Sequence, residues 1–147
     1  MARGQGAARR RRAAQGVSGA QIVVHHLEQA RAALRAAAEA GCAIELRSAP
    51  GAAGYAGVGY LKALGDQAGQ ELWIDCGDDA GLVMAALRTG CRRIIFSGGD
   101  EARRRLGDMA GRLGAALTGE TGTPQTLMVR PEDDAAAVLR AWLHGAG

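Results

Sequence analysis

The sequence predicts an α/β protein with a mostly parallel sheet covered by helices on both faces, in the order βαβαβαβαββα. Three observations lead there. Short apolar runs rich in β-branched residues alternate with longer segments of helical spacing. Strand starts recur at about 21 to 28 residues through most of the chain. Acids or proline open the helical segments and glycine closes several of them. Six strands cannot close an eight-stranded barrel, so an open sheet is expected, with a partial or dimer-completed β/α barrel as the alternative.

Residues 1–19, "MARGQGAARRRRAAQGVSG", carry Gly, Ala, Gln and Arg without apolar periodicity and are expected to form a disordered basic tail before one domain over 20–147. "QIVVHH" at 21–26 reads as the first strand, and "LEQARAALRAAAEAG" as a helix with an apolar stripe through Leu27, Ala30 and Leu34, stopped at Gly41. "AIELRS" at 43–48 is the second strand, and the glycine-rich run 51–59 leads from it into a helix carrying Tyr60, Leu61 and Leu64. "ELWIDCG" is the third strand, Asp78 or Asp79 the N-cap of "AGLVMAALRTG", and "CRRIIFSG" the fourth strand. "DEARRRLGDMAGRLG" has one stripe through Ala102, Leu106, Met109, Ala110 and Leu113, and "AALTGE" and "TLMVR" follow as two further strands. Pro131 opens the last helix, with Glu132, Asp133 and Asp134 at the positive end of its dipole. "GCAIELRS" at 41–48 lies over "GCRRIIFS" at 90–97 with Gly, Cys and Ser matching, which is compatible with duplication of a βαβ unit.

Composition narrows the function classes. The chain has 147 residues and a net charge of +3, but five of its 18 basic residues stand in the first nineteen positions, which hold no acid. The remainder of the chain has 13 basic against 15 acidic groups, so nucleic-acid contact is expected only through residues 1–19. Three cysteines without a C-x-x-C pair argue against a disulfide framework and a structural zinc site, and a reducing cytoplasm is the expected compartment. No stretch has the roughly 18 apolar residues of a membrane span, and no motif names a cofactor.

Ligands of parallel α/β proteins bind outside the carboxyl ends of the strands, where helix N-termini converge. That edge holds His25, His26, Arg47, Ser48, Asp75, Cys76, Ser97, Gly98, Gly99, Thr118 to Glu120 and Arg130. His25 is a candidate acid or base with Asp75 setting its tautomer; consecutive strand side chains point to opposite faces, so His25 and His26 would not share a metal ion. Cys76 precedes a helix start that would lower its pKa, and Asp75, Asp78 and Asp79 push the other way, leaving a nucleophile and a buried thiol as alternatives. Cys42 and Cys91, at the opposite edge, are expected to be buried packing residues. Ser97, Gly98 and Gly99 form a strand-to-helix turn that exposes N–H groups to an anion unless Asp100 caps the helix.

The glycine-rich run, Gly51 and Gly54 with Tyr55 at its tip, is either a tight passage into a helix or, with Ser48, a ligand-holding lid. Its Gly54-x-x-Gly57-x-Gly59 order reverses the dinucleotide fingerprint. "SAPGAAGYAGVGYLKAL" together with "IDCGDDAGLVMAALRTGCRRIIFSG" resembles short uncharacterised β/α proteins of high-GC alphaproteobacteria over residues 21–120. The resemblance implies a β/α fold and transfers no functional residue. The functional expectation is a small-molecule-binding domain, with catalysis left open, holding a small phosphorylated or carboxylate ligand through Ser48, Gly51, Gly54, Tyr55, Ser97, Gly98 and Gly99. The alternative is a non-catalytic oligomerising or regulatory module that presents its Ala/Gly-rich helices to a partner.

Overall fold

The structure is a computed structural model describing residues 20–119 and 125–145; the basic segment 1–19 and Glu120 lie outside the described residues. The elements are β1 (Ala20–Val23), α1 (Leu27–Ala40), β2 (Ile44–Arg47), α2 (Ala52–Ala56), α3 (Val58–Ala68), β3 (Ile74–Asp75), α4 (Ala80–Thr89), β4 (Arg93–Ile95), α5 (Asp100–Arg112), β5 (Ala116–Thr118), β6 (Thr126–Leu127) and α6 (Ala135–Leu143). Strands and helices alternate and all strand pairs are parallel, so the chain is an α/β protein. No helix among the described residues is long and apolar enough to cross a membrane.

The chain divides into two compact units: one takes the residues up to Leu46 and those from Pro124 onward, the other Arg47–Thr123. In the first, the sheet order is β2-β1-β6, and the last strand lies parallel to the first with Gln21 opposite Thr126 and Ile22 opposite Leu127. Its core joins Ile22, Val23 and Val24 to an alanine face on α1 (Ala30, Ala33, Ala36, Ala37) and to Leu139 and Leu143 of α6. The small alanine side chains let α1 and α6 pack directly on each other. Leu139 is fully buried, so truncating it to alanine would cost roughly 2–5 kcal/mol.

The second unit has the sheet order β3-β4-β5, with Ile74 opposite Ile94 and Ile94 opposite Leu117. Leu61 and Leu64 of α3, Val83 and Ala86 of α4, and Leu106 and Ala110 of α5 cover a core of Leu72, Ile74, Ile94, Ile95 and Phe96. Tertiary burial makes these strands: β3 has only two residues and is flanked by the buried Leu72 and Cys76.

Four local expectations need correction. The glycine-rich run is helical rather than a loop: α2 and α3 are separated at Gly57, whose φ of 90° interrupts the helix and favours a residue without a Cβ. The last helix begins at Ala135 with Asp134 as its N-cap, because Asp133 is engaged with Arg130 in the preceding turn. Gly99, not Asp100, is the N-cap of α5, and Asp100 pairs with Arg103 instead. Cys91 is buried as expected, whereas Cys42 is half-buried.

The overlay of 41–48 on 90–97 does have a geometric counterpart. Gly41 and Gly90 both end their helices in the left-handed region, and Cys42 and Cys91 both donate their N–H back to the carbonyl five residues earlier, at 2.9 Å in each case. This is the double bond of a Schellman ending.

Candidate functional site

At the carboxyl end of β3, Asp75 is the centre of a buried polar cluster. Its Oδ2 accepts from Arg47 Nη2 at 2.8 Å, and Oδ1 accepts the backbone N–H of Gly77 at 2.8 Å and of Gly51 at 3.0 Å. Arg47 Nε donates to the Ser48 carbonyl, and the Ser48 hydroxyl accepts the Asp75 N–H at 2.9 Å. Arg47 and Asp75 are each 1% exposed. Burial pulls the arginine below its ordinary pKa, and the Asp75 charge partly restores it. No buried side-chain nitrogen or oxygen among the described residues lacks a partner. A closed ion pair of this kind holds three chain segments in register and leaves Asp75 no free oxygen for proton transfer.

The neighbouring candidates are constrained by that closure. The Ser48 hydroxyl accepts the Asp75 N–H and the Gly51 N–H donates to the Asp75 carboxylate, so both residues take part in the frame of the cluster. Cys76 is 1% exposed, and burial first, then the negative charge of Asp75, pushes its thiol up to about 12. A thiol so raised stays protonated at neutral pH, which matches the buried-thiol alternative. The Ser97 N–H donates to the Gly77 carbonyl, and a Cβ on Gly98 would overlap the buried ring of Phe96. Gly99 is exposed, but the helix that it starts opens with Asp100 and Glu101, and Asp78 and Asp79 are exposed too. These carboxylates oppose an anion at the helix start. Gly54 and Tyr55 lie on α2; Tyr55 is 71% exposed.

The first unit contains a recess. At the carboxyl ends of β1 and β6, a crevice of about 380 Å³ is lined by His26, Glu28, Gln29 and Ala32 on one side and residues 131–135 on the other. Gln29 is its floor, buried at 3% exposure. Its amide nitrogen donates to the carbonyls of Arg130 (2.8 Å), Asp133 (3.1 Å) and Pro131 (3.3 Å), and its amide oxygen accepts the His25 N–H at 2.8 Å. Two amide hydrogens thus serve three carbonyls.

Both histidines are tied to the same connection. His25 Nε2 donates to the Val129 carbonyl at 2.6 Å; a main-chain oxygen of its own unit takes the role that the sequence pattern suggests for Asp75. His26 is the N-cap of α1: Nδ1 accepts the Gln29 N–H at 3.3 Å while Nε2 donates to the Pro131 carbonyl at 3.1 Å. Arg130 gives its N–H and its guanidinium to Asp133, and these bonds hold the Asp133 carboxyl below its usual range. Among the described residues no three His, Cys, Asp or Glu side chains are gathered so that they could hold a metal ion.

Sequence reasoning misses Gln29 and, as a partner for Asp75, Arg47. Gln29 has a readable signal: it stands four residues before Ala33 and seven before Ala36 on the buried stripe of α1, where a polar side chain must find partners. Comparison with family models, with curated proteins and with solved structures finds no match to the chain. The functional reading therefore rests on this geometry alone.

Proposed function

We propose that the chain is a small-molecule-binding α/β module whose site is the crevice at the carboxyl ends of β1 and β6. The observation that carries the reading is the recess itself, about 380 Å³ between the first turns of α1 and α6. It lies in the position where parallel sheets gather ligands. Gln29 gives it a fixed floor, and Glu28, Glu132 and Asp134 supply acceptors at its rim. Such a rim suits a small polar ligand carrying an ammonium or guanidinium group and repels the phosphorylated or carboxylate ligand expected from the sequence. The reading assigns binding and no reaction.

A thermal-shift titration tests it, with arginine and aliphatic diamines on one side and inorganic phosphate and small carboxylates on the other. A ligand at a hundred times its Kd adds about 2.7 kcal/mol, enough for a shift of several degrees. The cationic set should stabilise the chain, and Glu28→Gln with Glu132→Gln should abolish the effect. Stabilisation by phosphate alone, or by neither set, sinks the reading.

One observation favours a second reading, an interaction module. Tyr55 on α2 and Tyr60 on α3 are 71% and 47% exposed, beside the exposed small residues Gly54, Gly59 and Ala63. Exposed tyrosines are enriched at association surfaces.

A further inference from the structure

We propose that His26 is a pH-operated helix cap: its neutral ring closes the first turn of α1 through Nδ1 while Nε2 holds the 130–133 connection, and its protonation breaks the cap. This goes beyond the ligand-binding reading and does not rest on it, since the device belongs to the chain without any ligand.

The two bonds of the ring specify one chemical species. Nδ1 accepts the Gln29 N–H at 3.3 Å, and Nε2 donates to the Pro131 carbonyl at 3.1 Å, which only the neutral ring with its hydrogen on Nε2 does. Histidine is the one side chain that ordinarily changes charge between about pH 5 and 8. An imidazolium carries hydrogen on both nitrogens, so Nδ1 then faces the Gln29 N–H with a hydrogen of its own. The cap is lost, and a donor on a residue 3% exposed is left without an acceptor. The new charge also stands at the positive end of α1.

His25 supplies the contrast. Its Nε2 donates to the Val129 carbonyl, and donation survives protonation. The response to acid therefore belongs to Nδ1 of His26, and the Nε2 bonds of both rings outlast it. The charged groups around the His26 ring complete the switch: Glu28 lies on its own helix, and Glu132, Asp133 and Asp134 face it across the crevice. Arg130 is committed to Asp133 at 3.1 Å and Glu132 at 3.5 Å. The carboxylates therefore offer the imidazolium an alternative to the backbone.

Nitrogen-15 NMR of the full chain tests the switch. At about pH 8 the His26 ring should show hydrogen on Nε2 and none on Nδ1. Amide exchange at Gln29, corrected for its intrinsic pH dependence, should lose about five-fold in protection between about pH 7.5 and 5.5, the size of a lost N-cap. His26→Asn, which caps without titrating, should keep a flat profile, and His25→Asn should keep the step. The opposite ring tautomer, a flat profile in the wild-type chain, or a step that persists in His26→Asn would overturn the proposal. Failure of the ligand titration leaves these outcomes untouched, so the two ideas fall separately.

Discussion

Asp75 shows how one residue type in one place admits opposite meanings. A carboxylate at the end of a parallel strand reads as a catalytic base, yet this one accepts from Arg47, Gly51 and Gly77 and is 1% exposed. Removing one member of such a pair leaves an uncompensated buried charge, so Asp75→Ala should lower the unfolding free energy by ~3–5 kcal/mol in urea denaturation. Asp75→Asn keeps an oxygen for the two backbone donors and should cost less than Asp75→Ala. Equal losses in the two variants would mean that the backbone bonds to Asp75 add nothing beyond its charge. The sequence displays Arg47, Ser48 and Asp75 at the right edge; it does not display their mutual satisfaction, because that depends on a pairing 28 residues apart in the chain.

Helix ends are the most legible elements, since a cap is written within a few residues. Asp79 and Asp134 each accept the N–H three residues on, from Leu82 and Ala137. Replacing either by alanine should cost about 1 kcal/mol, read as a lowered midpoint in chemical denaturation; no change in either variant would deny the caps any role. The stripes are legible only in part: on α5 Leu106 and Ala110 are buried but Met109 and, at its end, Leu113 are exposed, and on α1 Ala30 is buried together with Ala33, Ala36 and Ala37 while Leu27 and Leu34 are half-buried. The glycine-rich run misleads for another reason. Local propensity counts its glycines against a helix, but Ala52, Ala53, Leu61 and Leu64 are buried, and that tertiary gain makes helices of the segments on either side of Gly57. The start of α6 is displaced by a competing local bond, Arg130 to Asp133, that composition alone does not weigh.

At the scale of the whole molecule, the α/β class follows from alternation alone, and the structure bears it out in two parallel sheets. Adjacency within those sheets is harder to read: β6 lies beside β1 across about a hundred residues of sequence, and nothing in "TLMVR" announces its neighbour. That pairing builds the crevice, which is why this recess escapes sequence reasoning while single edge residues do not. The association reading belongs to this scale as well. If the Tyr55 and Tyr60 surface joins two copies, sedimentation at about 100 μM should show a dimer, and Tyr55→Ser with Tyr60→Ser should return a monomer. A wild-type chain that sediments as a monomer at that concentration removes this partner.

The contact between Gly98 and Phe96 has a practical side for anyone wishing to rebuild the loop that leads into α5. Position 98 has no room for a side chain because the buried ring occupies it, whereas the space beside Gly99 is open and Ser97 is exposed. A combinatorial library at this loop should therefore vary 97 and 99 and hold 98 constant, or else randomise 96 and 98 together so that a smaller residue under the loop makes space for a larger one in it.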